Sequence, residues 1–178
     1  LHLFRDKGVT MQVAGSDQWG NCIAGVELIR RIEGADAHIW TAPLVMNKTT
    51  GKKFGKTEDG AVWLDEKKTS VFKFYQFWLN AGDADAIDYL KIFTLLSREQ
   101  IEALEEEMKT NAASRPAQKA LAYEVTSLVH GAERADSVRR VSEALFGAAG
   151  YDELTREDMI SLESELPTHA VRSGDSLL

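Results

Sequence analysis

Apolar and polar positions alternate in two different rhythms along this chain, and the change comes near residue 70. Before it, short apolar runs are separated by polar turns. Residues 9–14, Val-Thr-Met-Gln-Val-Ala, form one such run and predict a short buried strand. A polar turn follows, Gly15-Ser16-Asp17-Gln18-Trp19-Gly20-Asn21. Ile23, Val26, Leu28, Ile29 and Ile32 then predict a helix, with Arg30 and Arg31 near its end, where cations suit the dipole, and Gly34 as its stop. Residues 38–45 predict a second strand or extended segment, with Pro43 marking an edge or a strand end. Strand, helix and strand make one βαβ unit. A single unit is a small sheet, so further strands are expected from sequence before residue 1.

From Thr69 onward the spacing is helical. Thr69 or Ser70 caps a first helix to about Leu79, with Phe72, Tyr75, Gln76 and Leu79 in phase. Asn80-Ala81-Gly82 breaks it. A second begins at Asp83 or Asp85 and carries Ile87, Leu90, Lys91 and Thr94. Ser97-Arg98-Glu99-Gln100 is a capping-box pattern ahead of Ile101, Leu104 and Met108. Ser114-Arg115-Pro116 opens a fourth helix through Leu121, Val125, Leu128 and Val129 to Gly131, with proline in its first turn. A fifth holds Val138, Val141, Leu145 and Phe146, and Thr155 to Asp158 can cap a short last one. The fold class expected is α/β plus all-α.

Composition narrows the function classes. No apolar run approaches the ~18 to 20 residues of a membrane span. A single cysteine, Cys22, excludes an internal disulfide and fits a reducing compartment. With four scattered histidines it also gives no basis for a structural zinc site. A net charge of −7 argues against a protein that coats nucleic acid non-specifically, while leaving room for a local basic face. The start, Leu1-His2-Leu3-Phe4-Arg5, lacks both an initiator methionine and a cleavable apolar region, and reads as if cut from something longer.

Two polar turns carry the candidate chemistry. Gly51-Lys52-Lys53-Phe54-Gly55-Lys56-Thr57 sets three lysines and a threonine among glycines that allow close backbone approach. Ammonium groups suit phosphate oxygens, so the segment reads as a polyphosphate-binding loop, against the plain alternative of a solvated basic turn. It misses the P-loop pattern G-x-x-x-x-G-K-S/T, because position 50 is Thr50, and Glu58-Asp59-Gly60 follows where a helix should open. In the other turn, an Asp17 carboxylate can accept hydrogen bonds from ribose hydroxyls, and the Gln18 amide can orient a carboxylate or phosphate. The alternative, which the local sequence favours, is a helix N-cap by Ser16 or Asp17. Both turns follow strands, so both can face one site beyond the strand ends. His2, His38, His130 and His169 lie far apart, and no nucleophilic triad or metal cluster assembles. Nucleotide activation needs none, since an incoming carboxylate can attack an α-phosphorus under positioning and charge stabilisation alone.

The residues of these turns, with the collinear segments Pro43-Leu44-Val45, Trp63-Leu64-Asp65, Phe74-Tyr75-Gln76-Phe77-Trp78, Gln118-Lys119-Ala120-Leu121-Ala122, Val129-His130-Gly131 and Ser142-Glu143-Ala144-Leu145-Phe146, closely resemble bacterial tyrosyl-tRNA synthetases, a class I aminoacyl-tRNA synthetase family. The similarity fades after about residue 150. Lys53-Phe54-Gly55-Lys56-Thr57 resembles that family's form of the loop usually written K-M-S-K-S. The resemblance implies that Gly15 and Asp17 contact ribose, that Gln18 positions the amino acid carboxylate, and that Leu44 and Val45 border adenine. It implies that Lys53, Lys56 and Thr57 meet the β- and γ-phosphates in the transition state. It further implies the C-terminal part of a Rossmann-like nucleotide-binding domain over 1–70, an α-helical anticodon-binding domain over 71–150, and a linker toward an RNA-binding domain over 151–178. Implied partners are ATP as substrate with Mg2+, tyrosine and tRNA(Tyr), with no protein-bound metal, a cytoplasmic location, and a homodimer in the full-length family. The family's first nucleotide signature and its tyrosine pocket have no counterpart here, so the isolated chain is expected not to form tyrosyl-adenylate. Two alternatives stay open. One is a tryptophan-specific relative. The other is a helical tRNA-binding module, with Arg115, Lys119, Arg139 and Arg140 on phosphates and no catalysis.

Overall fold

The structure, a computed structural model, describes residues 1–55, 62–147 and 150–166. It divides into two units, Leu1–Asp59 and Gly60–Leu178.

The first unit begins with a short helix, α1 (His2–Lys7), which Gly8 ends in the left-handed conformation at φ 65°. Six residues carry too little periodicity to announce a helix, and the sequence pattern does not predict it. Strand β1 (Met11–Gly15), helix α2 (Trp19–Glu33) and strand β2 (His38–Ala42) then form the expected βαβ unit. The strands pair in parallel, from Met11 opposite His38 to Gly15 opposite Ala42. β2 stops before Pro43, which has no N–H to donate to a ladder.

Burial in this unit departs from the sequence reading in two places. β1 is not buried: Met11 is 56% and Val13 59% exposed. Among the described residues the sheet has two strands, so β1 has one hydrogen-bonded neighbour rather than two. The inner face of α2 also differs. Cys22 and Ile29 are its buried residues, and with Gly25 and Val26 they line a cavity of about 270 Å³ against α1, β1 and β2. Positions 22, 25, 26 and 29 follow the helical repeat, whereas Ile23, Leu28 and Ile32 point outward and are exposed.

The second unit is helical among its described residues: α3 (Val71–Leu79), α4 (Asp83–Phe93), α5 (Arg98–Thr110), α6 (Pro116–His130), α7 (Ala132–Phe146) and α8 (Arg156–Glu165). Helix starts follow the polar signals. Ser70 caps α3 by accepting from the Lys73 amide at 3.3 Å, while the Thr69 hydroxyl instead accepts from the Trp63 amide. Ser97 and Gln100 make the reciprocal capping box of α5, and Thr155 and Asp158 make that of α8. Pro116 takes the first turn of α6, after Arg115 in the left-handed region at φ 53°.

The core lies on α6, whose Ala117, Leu121 and Ala122 have no exposed surface. On α3 the inward face is Phe74, Tyr75 and Trp78; of the Phe72, Tyr75, Gln76 and Leu79 face read from sequence, Tyr75 is buried and the other three are half-buried. Trp78 offers more area to bury than Leu79 and takes the inward position. Trp78 packs on Phe74, Tyr89 and Phe93 at centroid distances of 5.0 to 6.3 Å, and Phe74 meets the edge of His130 at 4.9 Å.

The last helix is held by a carboxylate with no solvent exposure, Asp158. It accepts from Arg140 Nε at 2.8 Å and Nη2 at 3.0 Å, from Ser137 Oγ at 2.5 Å and from the Thr155 amide at 3.0 Å. Burial alone would raise this carboxyl. The donors from Arg140, Ser137 and Thr155 outweigh burial and hold it well below the usual carboxylate range.

Candidate functional site

Parallel pairing sets the carboxyl ends of β1 and β2 side by side, and a polar segment leaves each end. From β1 the chain enters a single 3-10 turn, Ser16–Gln18, and passes directly into α2. Neither the turn nor α2 has a side-chain cap hydrogen bond. The helix-cap reading of Ser16 and Asp17 is therefore overturned. The Asp17 carboxylate turns away from the helix and accepts from Lys53 Nζ at 3.1 Å. The Gln18 amide oxygen accepts from Asn21 Nδ2 at 3.0 Å.

From β2 the chain passes Leu44 and Val45, both half-buried, into a tight hairpin. The Phe54 amide donates to Val45 O at 2.9 Å, the Asn47 amide to Lys52 O at 2.9 Å, and Met46 faces Lys53 in an antiparallel bridge. Asn47 organises the bend. Its Oδ1 accepts from the Thr50 amide at 2.7 Å and the Thr50 hydroxyl at 3.0 Å, and its carbonyl accepts from the Gly51 amide at 2.8 Å. Gly51 sits at φ 69°, a backbone region that a side chain would strain. Sequence reasoning passed over Asn47. Its signal was present as Asn47-Lys48-Thr49-Thr50-Gly51, an Asx-type turn closed by glycine.

The hairpin delivers Lys53 to Asp17 across 36 residues of sequence. Lys53 donates a hydrogen bond and supplies positive charge, and these hold the Asp17 carboxyl below its ordinary value. Both side chains are more than a third exposed, so the pair faces solvent. Gly15 lies directly beneath. A β-carbon there would stand 2.8 Å from Asp17 Oδ1 and 2.9 Å from Leu44 Cδ2, so a side chain at position 15 would have to displace both. Gly15, Asp17, Gln18, Leu44, Val45 and Lys53 thus belong to one end of one small sheet. Lys56 and Thr57 lie outside the described residues.

The arrangement joins an open carboxylate, a neighbouring amide and an ammonium group on a short hairpin. Such a set can hold a polar ligand that carries both hydroxyls and negative charge. Among the described residues no group of three or more His, Cys, Asp and Glu gathers as metal ligands.

The sequence matches the family of class I tRNA synthetases (W and Y) over residues 1–147. The chain belongs to that family. It is 50% identical to tyrosine–tRNA ligase 1 of Bacillus subtilis over 179 residues, covering 99% of this chain and 42% of that protein. It is 50% identical to the tyrosine–tRNA ligase of Bacillus caldotenax over 176 residues, covering 98% and 42%. The solved structure of a C-terminally truncated mitochondrial tyrosyl-tRNA synthetase from Aspergillus nidulans superposes with a TM-score of 0.63 at 34% identity, covering 81% of this chain and 41% of that one. The chain therefore spans about two-fifths of the length of the relatives it matches. As a member of a class I family it carries the two turns in a fold that this family shares.

The helical unit revises the cations singled out from sequence. Arg115 is committed internally: its Nη2 donates to Leu79 O at 2.9 Å and Ala81 O at 3.3 Å, satisfying carbonyls at the end of α3. Arg140 is committed to the buried Asp158. Neither guanidinium projects freely toward a phosphate. Arg139 is exposed, pairs with Asp136 at 2.9 Å and lies over the Tyr123 ring, while Lys119 is exposed on α6.

Proposed function

We propose that this chain supplies the phosphate-side part of a tyrosine–tRNA ligase, which activates tyrosine with ATP and transfers it to tRNA(Tyr). The observation that carries the reading is the meeting of Asp17 and Lys53 at the shared end of β1 and β2. In this reading residues 1–70 are the C-terminal part of a Rossmann-like domain and residues 71–150 the anticodon-binding domain. Residues 151–178, which include α8 packed on α7 through Asp158, are a linker toward an RNA-binding domain. ATP arrives with its Mg2+ as substrate. Asp17 accepts from the ribose hydroxyls over Gly15, and Leu44 and Val45 border the adenine. Gln18 orients the tyrosine carboxylate. One carboxylate oxygen attacks the α-phosphorus, the bond from that phosphorus to the bridging oxygen breaks, and pyrophosphate leaves. Lys53, with Lys56 and Thr57 by their place in the motif, meets the charge that grows on the leaving group. Positioning and electrostatics supply the catalysis, with no covalent enzyme intermediate. The names and identities of the relatives support tyrosine over tryptophan as the amino acid.

The test is tyrosine-dependent exchange of pyrophosphate into ATP. The 178-residue chain alone is expected to give none. A chimera in which this chain replaces the matched segment of the Bacillus subtilis ligase is expected to exchange. A folded chimera that binds tyrosine and ATP yet shows no exchange refutes the proposal.

A further inference from the structure

Between the bridge partners Met46 and Lys53 lie six residues, 47–52, a longer connection than most hairpins use. All but Asn47 are exposed, so packing does little to hold them in one conformation. One side chain does it instead. Asn47 Oδ1 accepts from the Thr50 amide at 2.7 Å and from the Thr50 hydroxyl at 3.0 Å. The same Thr50 oxygen accepts from the Lys52 amide at 3.4 Å, and the Lys52 carbonyl accepts from the Asn47 amide at 2.9 Å. Both backbone groups of Lys52 are thereby tied to the turn. On the other side of Lys53, the Phe54 amide donates to Val45 O at 2.9 Å. Lys53 is thus held between two fixed neighbours, and its ammonium stands at the end of β1, 3.1 Å from Asp17 Oδ2.

We propose that Asn47 is a positioning residue for adenylate formation and acts through Lys53. This deepens the reading given above and rests on it. In this role Asn47 touches neither nucleotide nor amino acid. Its side chain closes the turn in the free protein, so the lysine that meets the leaving pyrophosphate starts from one backbone conformation instead of many. Order already present before the reaction is entropy that the chemical step does not have to supply. An Asn oxygen suits the task because it reaches donors a few residues along its own chain, a geometry that aspartate keeps and alanine lacks.

The experiment measures adenylate formation and tyrosine affinity in the chimera. Asn47→Ala is expected to slow adenylate formation about five- to twentyfold, the worth of one or two exposed turn hydrogen bonds, and to leave tyrosine affinity unchanged. Asn47→Asp, which keeps the acceptor oxygen, is expected within about threefold of wild type. On a Lys53→Ala background, Asn47→Ala should add less than about twofold, because the group it positions is gone. Full slowing on that background, or an Asp form as slow as the Ala form, overturns the inference while leaving the ligase reading standing. If Lys53→Ala itself leaves the rate unchanged, the phosphate role of Lys53 fails and the inference falls with it. A second measurement needs only the 178-residue chain. Asn47→Ala should speed hydrogen exchange at the Phe54 amide about threefold by loosening the turn. Unchanged exchange would show that the turn closes without Asn47, and faster exchange with an unchanged adenylate rate would show that its closure does not serve Lys53; either result overturns the inference.

Discussion

Lys53→Ala in the chimera slows tyrosyl-adenylate formation about 30- to 1,000-fold and changes tyrosine affinity little. The magnitude follows from the loss of one preorganised charge contact to the leaving group, about 2 to 4 kcal/mol of transition-state stabilisation. The sparing of tyrosine follows from position. Lys53 is on the hairpin after β2, and its contact is with Asp17 rather than with the Gln18 amide. Pre-steady-state measurement of adenylate formation, with tyrosine affinity taken separately, checks both parts. A loss shared equally between rate and tyrosine affinity would indicate a damaged fold and not a missing charge.

Asp158→Ala lowers the stability of the helical unit by about 2 to 3 kcal/mol and its melting midpoint by on the order of 10 °C. Breaking one side of a fully buried ion pair costs more than this. The discount reflects Arg140, whose side chain is 38% exposed and recovers water when its partner is lost. Ser137 and the Thr155 amide lose an acceptor in the same change, so α7 and the start of α8 are both affected. The linkage to pH has a definite sign. The folded-state carboxyl is depressed, so its contribution is present above the ordinary aspartate value of ~3.9 and is lost as pH falls from there toward the folded value. Calorimetry between pH 7 and pH 2 should show wild type and Asp158→Ala converging only in strong acid. Convergence already at pH 5 would mean that the carboxylate is not held as the four donors imply.

The elements were legible where a polar signal sits at a helix start. Ser97 with Gln100, Thr155 with Asp158, and Pro116 satisfy or dispense with backbone donors locally, and local sequence suffices to see that. The inward faces were less legible. Ile23 and Leu28 are as apolar as Ile29, yet what covers each is decided by the sheet and not by the helix. On α3 the spacing was read as a Phe72, Tyr75, Gln76 and Leu79 face, and the contacts with α6 and α7 kept Tyr75 and buried Phe74 and Trp78 beside it. The two turns of the site were visible as polar, glycine-bearing segments after strands. Their meeting was only an inference from βαβ geometry, and the Lys53–Asp17 contact supports it within the first unit. What the sequence could not disclose is where a charge is spent. Arg115 and Arg140 look like surface cations in a list, but a carbonyl pair and a buried carboxylate claim them.

A crystal structure of the chimera with ATP and tyrosinol tests the meeting of the two turns over one nucleotide most directly. It should show the ribose hydroxyls within about 2.6 to 3.2 Å of Asp17 and the Lys53 ammonium on phosphate oxygens. A ribose bound away from Asp17, with Lys53 distant from the phosphates, would contradict the account.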